Sequence, residues 1–282
     1  LIEGYSARRT LNVRVELIRQ IRRRRTAVAF GLVIALPILV VLAVEFGPSA
    51  SGGGGLADGD FDIFGLMASG PWNFALSGLF FSSTFLLVIL AAMFLGDTVA
   101  GEASWSTMRY LLTAPVPRRR FLLVKMVVGL LLTLAMLLTL VIASFLLGVL
   151  AFGSGTLASP LSGSLGVGES TQRLAVITCY VAVTLLVPAG IAFLASVLTD
   201  VPLGAVGAAV VIVVVANILD AIDALGPIRR FLPAHHAQAW SDALGPVIVW
   251  NEMAVGLLYN VAVFAVLIGV AILRFDRKDI LS

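Results

Sequence analysis

The chain has 282 residues, 60% of them hydrophobic and only 12% charged, with a formal net charge of +3. Soluble domains carry about 45–50% apolar and about 25% charged residues, and a fold of this size has too little interior to hide such an excess. A water-soluble globular fold is therefore excluded, and lipid must act as solvent. The single cysteine, Cys179, likewise excludes a disulfide framework and any multi-cysteine zinc or iron–sulfur site within one chain.

Residues 1–26 form a basic lead-in carrying Arg8, Arg9, Arg14, Arg19, Arg22, Arg23, Arg24 and Arg25. Leu11, Val15 and Ile18 fall on one helical stripe, with Leu17 and Ile21 beside it. That pattern predicts an amphipathic helix on the inner leaflet, with arginines as surface anchors. Beside a span such a cluster binds anionic lipid rather than nucleic acid. No cleavable leader is expected, since the first apolar run lacks a small-residue cleavage site close behind it.

A span needs roughly 20 apolar residues, and six stretches qualify: 27–46, 72–95, 121–152, 174–198, 203–219 and 253–273. Together they make residues 27–273 one all-α transmembrane unit, followed by a tail, 274–282. Pro37 and Pro188 lie inside spans one and four, where kinks are expected. Ser51 to Gly55 makes the first loop a flexible, Gly-rich one. Between spans four and five, Asp200 is a candidate cap and Pro202 a first helical residue. Gly204 and Ala208 form a small-xxx-small pair for close packing. Thr133, Thr139 and Ser144 on span three are candidates for a protein interface.

Lys and Arg set the orientation. They crowd the N-terminal segment, the loop between spans two and three (Arg109, Arg118, Arg119, Arg120, Lys125) and the tail (Arg274, Arg277, Lys278). The loop after span one has Glu45, Asp58, Asp60 and Asp62 but no Lys or Arg, and the loop after span three has Arg173. This places both termini in the cytoplasm of a cell with this chain in its plasma membrane. Arg229 and Arg230 are the exception. Lys125, at the start of span three, is expected to snorkel to the headgroups.

Between spans two and three the sequence predicts a helix from about Asp97 to Leu112, its acids suiting the N-terminal dipole and Pro115 and Pro117 ending it. Between spans five and six, Asp220 to Asn251 is too broken by Pro227, Pro233 and Pro246 to span, yet keeps Ile228, Phe231, Leu232, Trp240 and Leu244. Short helices that dip into the outer leaflet or cap the bundle are expected. His235 and His236, the only histidines, point about 100° apart on a helix and suit one metal poorly. Asn217, Asp220 and Asp223 lie three apart at the end of span five, solvated or bonded to the outer segment, with an ion relay as the sharper alternative.

The pattern Glu102, Ser106-Thr107, Leu111-Leu112, Pro115-Val116, Arg118 and Lys125 resembles the ABC-2 type permease family, the membrane subunits of ATP-binding-cassette exporters. Ser106 stands where glycine is usual, and Pro117 where serine is usual. The resemblance implies that the loop is a cytoplasmic coupling helix docking on a separate ATPase through Glu102, Trp105, Ser106, Thr107, Arg109, Leu112, Pro115 and Arg118. The lead-in becomes a connecting helix. The segment between spans five and six becomes re-entrant outer helices, whose gate candidates are Asn217, Asp220, Asp223, Phe231, Pro233, His235, His236 and Trp240. The implied partners are two copies of the ATPase and a second permease chain, identical or homologous. The sequence has no G-x-x-x-x-G-K-[ST] loop; ATP and Mg belong to the partner, and this chain holds no cofactor and is not catalytic. Its expected role is export of a hydrophobic or amphipathic small molecule. Rival readings are a stand-alone secondary transporter or channel, for which the spans lack midplane charges, an intramembrane enzyme, for which paired catalytic residues are missing, and a regulatory membrane partner.

Overall fold

The computed structural model describes residues 12–46, 67–104, 117–159 and 163–277. Nine α-helices account for most of them: α1 (Val13–Ile21), α2 (Arg24–Phe46), α3 (Pro71–Ser83), α4 (Leu86–Ser104), α5 (Arg118–Phe152), α6 (Val167–Thr184), α7 (Leu186–Leu198), α8 (Pro202–Asp220) and α9 (Trp250–Arg277). Two 3-10 segments, Asp223–Phe231 and Ala239–Leu244, lie between α8 and α9. A two-residue hairpin, Ala158–Ser159 with Gly163–Ser164, is the one departure from helix pairing among the described residues. Six helical stretches are long and apolar enough to cross a membrane. The Gly-rich loop Ser51 to Gly55 lies outside the described residues.

Two of the expected crossings are jointed. The second is α3 followed by α4, broken at Thr84 and Phe85. Ser83 Oγ donates to the Phe80 carbonyl at 3.0 Å, competing locally with the helical ladder. The fourth is α6 followed by α7, broken at Leu185. Pro188 has no N–H for the Thr184 carbonyl and its ring crowds it, which puts the break one turn before the proline. Pro37, by contrast, is accommodated without interrupting α2. The breaks face one another: Ser83, Thr84, Thr184, Leu185, Pro188 and Asn217 line one small cavity of about 60 Å³.

The centre is α4, with 72% of its spanning window buried, against 17% for α2 and α9. Its main neighbours are α7, α8 and α5. Outside this core the apolar surface faces outward: Leu39 is 64% exposed, Leu150 82% and Leu258 73%. Patches of that extent require an apolar surrounding. Lipid is as apolar as leucine, so helix association depends on close approach and polar bonds. Ser196 Oγ supplies one, accepting the backbone N–H of Val99 at 3.0 Å and of Ala100 at 2.9 Å. Close approach comes through Gly96, where a Cβ would meet Val206 Cγ2 at 2.9 Å, and Gly148, where it would meet Pro71 Cα at 2.8 Å.

Two local expectations are corrected. Gly204 and Ala208 face outward; the close contact on α8 is made by the buried Ala205 and Ala209, one residue further along. The N-cap of α8 is Val201, not Asp200, with Pro202 at the first turn as expected. Of the hydroxyls on α5, Thr133 and Thr139 bond to their own helix, at the carbonyls of Gly129 and Ala135, whereas Ser144 is buried against Gly78 of α3.

Gly148→Val forces α5 off the backbone of Pro71, and a clash against main chain is relieved only by helix displacement. The expected loss is about 1–3 kcal/mol, measured as a lowered unfolding midpoint in detergent, with Gly31→Val, where nothing lies within 4 Å, leaving the midpoint unchanged.

Candidate functional site

The helix expected to start at Asp97 does not start there. Helix α4 runs on to Ser104, so Asp97 and Glu102 sit in its last turns, at the end where the dipole disfavours acids. Basic residues compensate. Lys125 of α5 is 1% exposed; its Nζ donates to Glu16 Oε1 of α1 at 2.7 Å and to Glu102 Oε1 at 2.8 Å. It also lies 5.5 Å from the Phe121 ring centroid. Lys125 therefore does not snorkel to headgroups, because two buried carboxylates hold it inside the bundle.

The network spreads from there. Glu16 Oε1 accepts Gln20 Nε2 at 2.9 Å, and Glu16 Oε2 lies 3.1 Å from Arg19 Nε. Arg19 bridges to Glu102. Arg23 Nη1 donates to Asp97 Oδ2 at 2.9 Å, and Arg25 pairs with the same carboxylate. Arg25 Nη2 donates to Gln20 Oε1 at 2.8 Å, and Thr26 Oγ1 to the Gln20 carbonyl at 2.7 Å. Four elements, α1, α2, α4 and α5, are thus tied at one end of the bundle. The expected anchors divide: Arg19, Arg23 and Arg25 are engaged in ion pairs, whereas Arg14, Arg22 and Arg24 are exposed.

Helix α1 turns its polar face into the bundle and its apolar stripe outward. Its buried residues are Glu16 and Gln20, while Val15, Ile18 and Ile21 are 66%, 43% and 52% exposed. The lysine beneath it selects the acidic face. The Glu16 carboxyl is shifted down despite its burial, which by itself raises it; the Lys125 charge, hydrogen bonds from Lys125 and Gln20, and the Arg19 charge outweigh that penalty.

Trp105, Ser106, Thr107, Arg109, Leu112 and Pro115 lie outside the described residues. Both ends of the stretch that carries them are described. Glu102 sits just before it in the ion network; Arg118 just after it donates to the Asp276 carbonyl at 3.3 Å, beside the Arg119–Asp276 ion pair at 3.0 Å.

The opposite end is closed by a second buried cation. Arg173 of α6, 2% exposed, donates to the carbonyls of Ala243 at 2.7 Å, Gly245 at 2.5 Å and Pro246 at 3.3 Å, and to Glu169 at 2.6 Å. It fastens the second 3-10 segment to α6. The sequence shows Arg173 as a loop charge after span three, and the Glu169–Arg173 spacing of four is its local signal of pairing. Tyr180 adds a bond to the His236 carbonyl at 2.5 Å.

The remaining candidates collect beside this cap. Asp220 lies 3.0 Å from His235 Nδ1 and 3.5 Å from Arg229 Nε; Asp223, outside α8, pairs with Arg229 at 2.5 Å. Arg229 is therefore locally neutralised. Asn217 donates to Val213 of its own helix at 3.0 Å and lines the small cavity with Pro233. His236 is buried, 3.3 Å from the Arg230 carbonyl, and its ring meets that of His235 edge-on; the two have separate partners. Trp240 is buried with its ring 6.0 Å from Phe80, while Phe231 is exposed. Among the described residues no group of three His, Cys, Asp or Glu is placed to hold a metal ion.

A family model described as a protein of unknown function, DUF2705, matches residues 60–281, so the chain belongs to that family. Comparison with curated proteins gives no match.

Lys125→Met leaves two carboxylates buried without their shared cation, a loss of about 3–5 kcal/mol. Unfolding in detergent is expected to show it, and the neutral combination Lys125→Met, Glu16→Gln, Glu102→Gln to recover most of it. The lowered Glu16 pKa means its stabilisation is complete above the ordinary glutamate value of about 4.3 and lost as pH falls through the lower folded value. The melting temperature should hold from pH 7 to about 5 and then drop, with Glu16→Gln removing part of the drop. Arg173→Met strands the carbonyls of Ala243 and Gly245; amide exchange across residues 239–246 should accelerate while α4 stays protected.

Proposed function

We propose that this DUF2705-family chain is the membrane-spanning subunit of an ATP-driven exporter of the ABC-2 permease type. What supports the reading, beside the sequence resemblance, is one observation: the entry to the loop at 105–116 is built into the buried Lys125–Glu16–Glu102 network. A push on that loop reaches α1, α2, α4 and α5 together rather than being absorbed in one flexible turn. In this reading the loop is the coupling helix and α1 the connecting helix, both cytoplasmic with the two termini. The 3-10 segments, the second of them fastened by Arg173, form the outer gate, in part re-entrant, over a path shared with a second permease chain in the plasma membrane. Two ATPase subunits bind and hydrolyse ATP with Mg; this chain supplies the path. The cargo is a hydrophobic or amphipathic small molecule.

Purification of the tagged chain from its native membranes in mild detergent should retain an ATPase carrying a phosphate-binding loop, and Leu112→Asp should lose it while the melting temperature is unchanged. A chain that stays folded and never retains an ATPase, under conditions that preserve known complexes, would overturn the reading. Proton-driven uptake by the chain alone in liposomes would favour a stand-alone secondary transporter.

A further inference from the structure

We propose that the seam between α2 and α4 holds one anionic phospholipid, its phosphate at the arginine end and an acyl chain along α2. The head end is an open cleft of about 680 Å³ lined by Arg19, Arg23, Arg24 and Arg25 together with Asp97, Gly101 and Glu102. Donors outnumber acceptors in it. Arg23 and Arg25 share the carboxylate of Asp97, with Glu102 3.8 Å from Arg23, each guanidinium carries five N–H groups, and Arg24 makes no ion pair among the described residues. A phosphate group offers the oxygen acceptors, two of which the planar guanidinium fork can take at once.

The tail end lies in the same seam. A groove of about 350 Å³ is lined by Leu32, Leu36, Leu39 and Ala43 on α2 and by Leu86 on α4, with no polar side chain. Register ties the two cavities together. Arg25 meets Asp97 at one end, and Leu36, eleven residues on along α2, lines the groove together with Leu86, eleven residues back along α4. Arg25, Leu32, Leu36, Leu39 and Ala43 follow one another at helical spacing on one stripe of α2. From Arg25 to Leu36 is about 16 Å at 1.5 Å per residue, close to the roughly 15 Å half-thickness of a bilayer's hydrocarbon. A phosphate at the arginines therefore puts its acyl chain in the groove without strain. A bound sugar or nucleotide would leave the groove empty, and a neutral lipid would leave the arginine donors without acceptors. The inference does not depend on the export reading.

The test uses the full chain in mild detergent, with bound lipid read by native mass spectrometry. The expected result is one phospholipid per chain, with phosphatidylglycerol retained over phosphatidylcholine by about fivefold, the worth of roughly one arginine at an anionic surface. Arg24→Gln, outside the ion network, should remove that preference without lowering phosphatidylcholine retention. Leu39→Trp, at a 64% exposed position, should fill the groove and lower retention of both lipids, with the unfolding midpoint unchanged. Displacement of the lipid by inorganic phosphate would make this a free-phosphate site and overturn the proposal. So would Leu39→Trp abolishing self-association with lipid retention intact, which would assign the seam to a second copy, or equal retention in wild type and both variants.

Discussion

The ammonium of Lys125 is 1% exposed and shared between Glu16 and Glu102, and the basic end of the bundle is organised around that bond pair. A charge removed from water costs several kcal/mol unless its hydrogen bonds are completed by opposite charge. Two carboxylates complete it, and each is then itself a buried charge needing partners. Glu16 finds Gln20 and Arg19, and Glu102 finds Arg19. The chain of obligations ends at half-exposed arginines that reach solvent. The placement of α1 follows from it: the helix lies with Glu16 and Gln20 down and Val15, Ile18 and Ile21 outward because the lysine beneath it cannot be left alone.

The two ends of the bundle answer one requirement with different acceptors. At one end a buried lysine is met by side-chain carboxylates from helices distant in sequence. At the other a buried arginine is met mainly by main-chain carbonyls of the segment after residue 243. Carboxylates can be protonated and carbonyls cannot, so acid acts on both acceptors of Lys125 but leaves the three carbonyl acceptors of Arg173 in place. The geometry differs too. Lysine offers a compact point charge at which converging groups can meet, whereas the forked guanidinium of Arg173 spans several consecutive carbonyls and holds an irregular backbone in shape.

The helices were largely legible because a continuous apolar run of twenty residues has few alternatives. Pro188 announced its joint, and Pro202 its helix start. The joint at Thr84 was hidden, since its residues are ordinary helix and strand formers and the competing bond comes from Ser83. The sequence conceals the extension of α4 because hydropathy falls at Gly96 while the helix continues to Ser104; the acids that suggest a new helix start are balanced by arginines 74 and 83 residues earlier. Lys125 was read by its place at the end of an apolar run, where snorkelling is the usual outcome. Its true partners lie 109 and 23 residues away, and no local pattern encodes such a meeting. Arg173 differs, since a glutamate four residues before it was in plain view.

Two adjacent crossings broken at one level, with Thr84 and Leu185 on the wall of the same small cavity, give the bundle an articulation. Helices α5 and α9 run unbroken beside it, like struts. Bending stiffness in a helix comes from its continuous hydrogen-bond ladder, and at the α6–α7 joint Pro188 removes the rung to the Thr184 carbonyl, although Leu185 and Ala189 keep theirs. A bend of the two crossings is therefore favoured at that level, and its extent is bounded by α5, which packs on both α3 and α4, and by α9, which packs on both α6 and α7.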